Sequence, residues 1–340
     1  LLGMAFTDPR EQLGLVALWA VLAAFGSATQ DVAIDAYRVE AEAKHRQGAM
    51  AATYVAGYRV AILAAGAGAL HLANLDSWST AYAVMGLLMA VGVVTTLVIA
   101  EPAVTVSQST VQLEQRVTDY LASTAHRGWR RDTQAWLISA VVCPFADFFQ
   151  RYGRASLLIL AFIATFRLTD IFMGVMANPF YLDLGFSKAQ IANIAAAFGL
   201  GMTLLGAAVG GLLVARFGIA RILLLTAFMA PLTNLAFAWL AFIGPQTYGL
   251  VLAIIADNIS GGLAISVFIA YLSSLTNTAY TATQYALFSS LMTLPGQFLG
   301  GFTGMLAESL GWVPFFFITA GTGLPAIILA FILLRVARPG

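Results

Sequence analysis

The sequence predicts an all-α membrane protein that crosses the bilayer many times, and three observations carry that reading. Of 340 residues, 60% are hydrophobic and only 10% are charged, where a soluble domain averages about 25% charged. Mean hydropathy is +0.85. The apolar residues also fall in runs that match the roughly 20 helical residues a bilayer core requires. Alternating ten-residue segments are missing, and only helices or closed barrels satisfy their backbone polar groups in lipid. The spans are therefore helices.

Leu1–Phe6 reads as the tail of a span. Candidate spans 13–37 and 49–72 are parted by Arg38, Lys44 and Arg46, and 79–99 follows. A polar stretch, 100–133, carries Val-Ser-Gln-Ser-Thr and a charged run ending at Arg131. Trp136–Tyr152 sets Phe145, Phe148 and Phe149 beside Asp147, Arg151 and, just beyond, Arg154. It is either an amphipathic helix lying on the membrane face or a short helix packed under the bundle. Six more spans follow at 155–180, 190–214, 221–243, 248–274, 284–307 and 312–334. The expectation is about nine complete transmembrane helices plus a partial one. The chain opens Leu-Leu-Gly rather than with Met and shows no signal peptide, so the first helices are expected upstream.

Basic residues set the orientation. Arg38, Lys44, Arg46, Arg116, Arg127, Arg130, Arg131, Arg151, Arg154, Arg216, Arg221, Arg335 and Arg338 fall in alternate gaps, thirteen in all. The opposite gaps hold only Arg10 and Lys188. That asymmetry places the 100–154 stretch and the C-terminus in the cytoplasm, although the 275–283 gap on that side has no basic residue. Three spans and a tail precede the loop and six follow it. This predicts a partial N-terminal half-bundle (1–99), a central cytoplasmic loop (100–154) and a C-terminal six-helix half (155–340). Transporters of this kind bind substrate between two halves near the midplane, although no residue-level repeat is visible.

Composition also excludes classes. A net charge of +1 leaves no basic surplus for nucleic acid. One cysteine, Cys143, forms no intrachain disulfide, and Cys and His are too few for a structural zinc site. No metal or cofactor is expected, and no Gly-x-x-x-x-Gly-Lys-Ser/Thr loop marks an ATPase. His71, His45 and His126 read as solvated side chains.

Ionisable groups inside spans carry the functional signal, since each costs several kcal/mol unless it is partnered or wetted. The first span ends Ser27-Ala-Thr-Gln30-Asp31-Val-Ala-Ile-Asp35-Ala-Tyr37-Arg38. Asp31 and Asp35 are four apart and share a helix face. Asp35 and Arg38 read as an ion pair at the helix end that steadies a gate. Asp31 lies about 10 Å deeper by helical rise, a place for reversible protonation or for a permanent pair with a neighbouring arginine. Arg59, after Gly57-Tyr58, either neutralises Asp31 or binds an anionic substrate. Arg167 and Asp170 are spaced i, i+3 near the middle of their span. They either satisfy each other or mark a cavity. Asp257-Asn258 lies at mid-depth with Gly261-Gly262 one turn on; Asp257 must find a partner across the bundle or titrate. Gly206 and Gly210, and Gly296, Gly300 and Gly304, are spaced four apart for close helix packing. Pro295 and Pro325 are positioned to kink their helices.

Gly210-Gly211-Leu-Leu-Val-Ala-Arg216-Phe-Gly218-Ile-Ala-Arg221 resembles the loop signature of the major facilitator superfamily, with Ala215 near the place of the usual acid. Arg216 and Arg221 then read as gating residues. Ser27-Ala-Thr-Gln-Asp-Val-Ala-Ile-Asp-Ala-Tyr-Arg-Val-Glu40 is similar to the corresponding stretch of the AmpG muropeptide permease family. The similarity continues through Gly57-Tyr-Arg59, Arg167-Leu-Thr-Asp170, the 257–262 stretch and Ala282-Thr-Gln284-Tyr-Ala-Leu-Phe-Ser-Ser290. The resemblance implies a major facilitator helical bundle, multi-pass in the bacterial inner membrane, that imports anhydro-muropeptides with protons as coupling ion. Arg59 or Arg167 would bind a stem-peptide carboxylate, while Gln30, Asn258 and Gln284 would take hydroxyls and amides. Tyr58 would stack on a sugar ring, and Asp31, Asp170 and Asp257 would carry protons. A monomer in the lipid bilayer is expected. Two alternatives stand: a carrier akin to the acetyl-CoA transporters, and a polytopic membrane enzyme. The long loop lacks the constellation an enzyme sets at a membrane edge.

Overall fold

A computed structural model describes residues 1–43, 46–103, 111–112, 115, 129, 133 and 138–336. Lys44, His45, Arg116, His126, Arg127, Arg130, Arg131, Trp136, Arg338 and the Val-Ser-Gln-Ser-Thr stretch lie outside those residues. Among the described residues every regular element is helical. Eight helices are long and apolar enough to cross a membrane: Leu13–Ala41, Gln47–Leu75, Trp78–Val98, Ala155–Asp183, Lys188–Phe217, Ile219–Ile243, Thr247–Leu275 and Trp312–Arg335. The expected ninth, 284–307, forms as Thr281–Gly300 and Thr303–Leu310 with a break at Gly301-Phe302. Its Thr281, Thr283, Gln284, Ser289, Ser290, Thr293 and Gln297 make it less apolar than the eight. The expected N-terminal tail is a single helical turn, Leu2–Ala5.

The chain divides into two compact units. One comprises Leu1–Ala41 with Ala56–Ala103, the other Glu42–Val55 with Val104–Gly340. In the first unit, Ser77 starts the helix Trp78–Val98 by accepting a hydrogen bond from the Thr80 amide at 3.2 Å, as an N-cap serine does. The Ser79 hydroxyl donates to the Ala5 carbonyl and Leu2 packs on Gly86, so the short first turn is tied to this helix. A π-helical turn, Ala64–Gly68, interrupts Gln47–Leu75.

In the second unit, glycines set the helix spacing. A methyl on Gly206 would stand 2.2 Å from the Ile259 carbonyl oxygen, and one on Gly262 would stand 2.0 Å from that of Thr203. Lys188–Phe217 and Thr247–Leu275 are thus in backbone contact, the close packing that small residues permit. A methyl on Gly296 would likewise collide with the Ile171 side chain, whereas one on Gly304 would meet nothing within 4 Å. That stripe stops where its helix breaks. At one end of the unit Phe180, fully buried, takes edge contacts from Phe316 and Trp312 at 4.8 and 5.1 Å. Nearer the middle, Phe166 stacks on Phe268 at 4.3 Å and 4°.

Cys143–Tyr152 follows a π-helical turn and buries Cys143, Pro144, Asp147 and Phe148. Phe148 packs on Phe288 at 5.1 Å. The helix therefore buries one face against Thr281–Gly300 and leaves Phe149 exposed on the other. Gly218, at φ 82°, makes the turn into Ile219–Ile243, a left-handed conformation that favours glycine.

Candidate substrate and coupling site

The span Ala155–Asp183 is not one helix. It runs Ala155–Phe166, turns at Arg167 (φ −100°, ψ 4°), and resumes as Leu168–Asp183. The charged residue therefore sits at the start of a half-helix, with Asp170 in its first turn, where the helix dipole favours a carboxylate. Discontinuous helices of this sort form the ion and substrate sites of many carriers. Arg167 Nε lies 3.8 Å from Asp170 Oδ2, and the two side chains are 23% and 18% exposed. At that length and exposure the pair is loose and open to exchange.

Asp257 finds its partner on Ile219–Ile243, where the Thr233 hydroxyl donates to Oδ1 at 3.3 Å. It also lies within electrostatic range of Asp170 and of the Tyr181 phenol. Arg167, Asp170 and Asp257 thus form one group, in which the guanidinium is paired with Asp170 and Asp257 lies within range of that carboxylate. Asn258 accepts from the Thr203 hydroxyl at 2.8 Å and donates to the Ile254 carbonyl at 3.0 Å.

Sequence reading missed several polar residues near this group. Asn234, 1% exposed, donates to the Thr319 hydroxyl at 2.9 Å. The Thr169 and Thr322 hydroxyls are 3.3 Å apart. A methyl on Gly323 would fall 2.3 Å from Pro231 Cγ and 3.1 Å from Thr169 Oγ1. Three irregular places therefore meet beside the charges: the turn at Arg167, the proline within Ile219–Ile243, and the break at Thr322-Gly323. Pro325 lies just after that break, at the start of Leu324–Val336, and does not kink a continuous helix. The available signal was Pro231-x-Thr233-Asn234, two polar residues just past a proline in an apolar run.

In the first unit Gln30 and Asp31 are exposed. Gln30 borders a hollow of about 860 Å³ together with Trp19, Ser27 and Met89. Asp35 and Arg38 are paired at 3.5 Å, with Arg38 only 3% exposed. Tyr58 is exposed and Arg59 half-buried. Arg216 and Arg221 are also exposed, and neither forms an ion pair among the described residues; Arg216 lies 5.4 Å from the Phe217 ring.

Gln284 requires a correction. It is 2% exposed and sits in a closed polar knot rather than beside an open cavity. Its Nε2 donates to Pro144 O at 2.8 Å and to Asp147 Oδ2 at 2.9 Å. Its Oε1 accepts from Arg151 Nη2 at 3.0 Å and from the Asn277 amide at 2.8 Å. Arg151 completes the knot by donating to Asp147 at 2.8 Å and to the Leu275 carbonyl at 2.9 Å. With both Nε2 protons and both Oε1 lone pairs taken, Gln284 has nothing to offer a sugar hydroxyl. It ties Cys143–Tyr152 to the turn between Thr247–Leu275 and Thr281–Gly300.

No family model matches the chain. Individual relatives do. A protein of Rickettsia conorii named putative transporter AmpG 4 is 32% identical over 331 residues, which are 97% of this chain and 75% of the relative. The chain belongs to the AmpG family of transporters. The anhydromuropeptide permease of Escherichia coli K12 is 31% identical over 328 residues, 96% of this chain and 61% of that permease. Putative transporter AmpG 3 of Rickettsia typhi is 29% identical over 310 residues, 91% of this chain and 70% of the relative. This AmpG-family chain is a multi-pass transporter with an all-helical membrane bundle, the architecture expected of the major facilitator superfamily. Its relatives are permeases and transporters, so the membrane-enzyme alternative is set aside.

Proposed function

We propose that this AmpG-family chain imports anhydro-muropeptides across the bacterial inner membrane by alternating access, driven by protons. The name of the Escherichia coli relative supports the substrate. The observation that carries the coupling is the group of Arg167, Asp170 and Asp257. One guanidinium balances only one of two carboxylates, so the remaining negative charge calls for a proton or another cation inside the bundle. When a muropeptide carboxylate takes Arg167, Asp170 loses its counter-charge, and proton uptake follows substrate binding. Asn258 and Gln30 supply amide contacts for hydroxyls, and Tyr58 supplies a ring face for a sugar. Arg59 and Asp31 play the corresponding binding and proton roles in the first unit. The Asp35–Arg38 pair steadies a gate at its helix end, with Arg216 at the loop signature.

The test is uptake of labelled anhydro-muropeptide into proteoliposomes by Arg167→Gln and Arg59→Gln. A charge-assisted contact contributes about 1.5–3 kcal/mol, so removing either arginine is expected to cut uptake roughly tenfold or more. Unchanged uptake by two folded variants would remove the carboxylate role from both.

A further inference from the structure

Away from the charge group, the second unit holds a crevice of about 370 Å³ at one end of four membrane helices. Its buried lining is apolar, with Ile159, Phe162 and Leu333, while Tyr152 and Tyr271 are half-buried and Arg221 is exposed. Tyr152 ends the helix Cys143–Tyr152, and the other lining residues lie toward the ends of their spans on the side that carries the basic residues: the start of Ala155–Asp183 and of Ile219–Ile243, and the end of Thr247–Leu275 and of Trp312–Arg335. That is the level at which a bilayer passes from acyl chains to headgroups. Among the described residues the lining contains no carboxylate. Arg221 is exposed and forms no ion pair among the described residues, so its charge is available to a ligand. Arg151 sits 5.2 Å from the Tyr152 ring, with three of its five N–H groups engaged in the Gln284 knot.

We propose that this crevice binds the headgroup of an anionic phospholipid from the leaflet on the basic side. Arg221 pairs with the phosphate, and the phenols of Tyr152 and Tyr271 donate to its oxygens. Ile159, Phe162 and Leu333 take the start of an acyl chain. Charge complementarity selects the occupant: a cationic rim without acids above an apolar slot suits an amphiphile with a negative head, and basic pockets between helices bind such headgroups elsewhere. A soluble phosphate would use only the rim. The proposal is independent of the transported substrate, since the crevice shares no residue with the Arg167, Asp170 and Asp257 group.

Delipidated protein in a neutral detergent is titrated with phosphatidylglycerol, phosphatidylcholine or inorganic phosphate. Thermal unfolding and native mass spectrometry of retained lipid are followed together. Phosphatidylglycerol is expected to raise the unfolding temperature and stay bound, while phosphatidylcholine and inorganic phosphate do neither. Arg221→Gln should weaken phosphatidylglycerol about fivefold, the worth of one basic residue near an anionic headgroup; Arg216→Gln should leave it unchanged. Ala220→Trp, an exposed position on the crevice wall, should block retention by filling the slot and keeps the test valid if Arg221→Gln unfolds. Equal retention in both variants, equal effects of Arg216→Gln and Arg221→Gln, or a shift reproduced by phosphatidylcholine or inorganic phosphate would overturn the proposal.

Discussion

The helices Leu13–Ala41 and Trp78–Val98 of the first unit have mean hydropathies of 1.6 and 2.1, and Ile219–Ile243 and Thr247–Leu275 of the second have 1.7 and 1.9. Yet 0% and 6% of the first pair is buried within the structure, against 50% for each of the second. Hydropathy records that a helix avoids water; it does not distinguish a lipid neighbour from a protein one. Close packing is written elsewhere, in glycines facing backbone and in polar side chains that find partners. Asp257 meets Thr233 and Asn234 meets Thr319 in the second unit, whereas Asp31 in the first is exposed.

Glycine substitutions break this contrast most sharply. Gly262→Ala would drive a methyl against the Thr203 backbone, so thermal unfolding in detergent should show a loss of about 3 kcal/mol. Gly26 and Gly57 have nothing within 4 Å of an added methyl. Alanine there should raise stability by about 0.5–1 kcal/mol through the stiffer unfolded chain. Equal losses at all three positions would show that the first unit is packed as tightly as the second.

Charged residues sharpen it next. Asp147→Ala leaves Arg151 and Gln284 with unmade hydrogen bonds in a buried knot, an expected cost of about 2–3 kcal/mol. Asp35→Ala removes one contact at 3.5 Å from the buried Arg38 and should cost about 1–2 kcal/mol. Chemical denaturation of the two variants side by side reads the difference. Asp31→Asn should move stability by less than about 0.5 kcal/mol while abolishing gradient-driven accumulation and sparing exchange. Equal loss of both transport modes would assign Asp31 a structural role.

The smallest effect is a pH dependence at the start of Trp78–Val98. Hydroxyl donation from Thr80 and Ser77 holds the exposed Asp76 carboxyl below its ordinary value of 3.8. A depressed carboxyl stabilises the fold above its ordinary value and loses that contribution as pH falls through the lowered one. Asp76→Asn should flatten this part of an acid unfolding curve and leave the neutral region unchanged.

Much of the fold was legible because membrane helices announce themselves by length and composition, and eight of the nine expected spans meet both criteria. The ninth was legible as a helix but not as a broken one. Its hydroxyl and amide side chains lower its hydropathy, and the break at Gly301-Phe302 is set by packing that a one-dimensional reading does not contain. Among the site residues, the i, i+3 spacing of Arg167 and Asp170 announced their pairing, since helical geometry alone fixes that neighbourhood. Thr233 as partner of Asp257 was not legible, because the contact joins two helices and depends on their rotation. Gln284 misled for the same reason. A glutamine near a helix start reads as a free amide until Asp147, Arg151 and Asn277 arrive from two other segments.

The central claim is that the Arg167, Asp170 and Asp257 group couples muropeptide uptake to protons. Proteoliposomes carrying the wild type or Asp257→Asn, loaded to be alkaline inside, measure it most directly. The wild type should concentrate labelled anhydro-muropeptide inside and lose that concentration when the gradient is collapsed, while Asp257→Asn should only equilibrate it. Accumulation by Asp257→Asn at the wild-type level, or wild-type uptake indifferent to the gradient, would contradict the account.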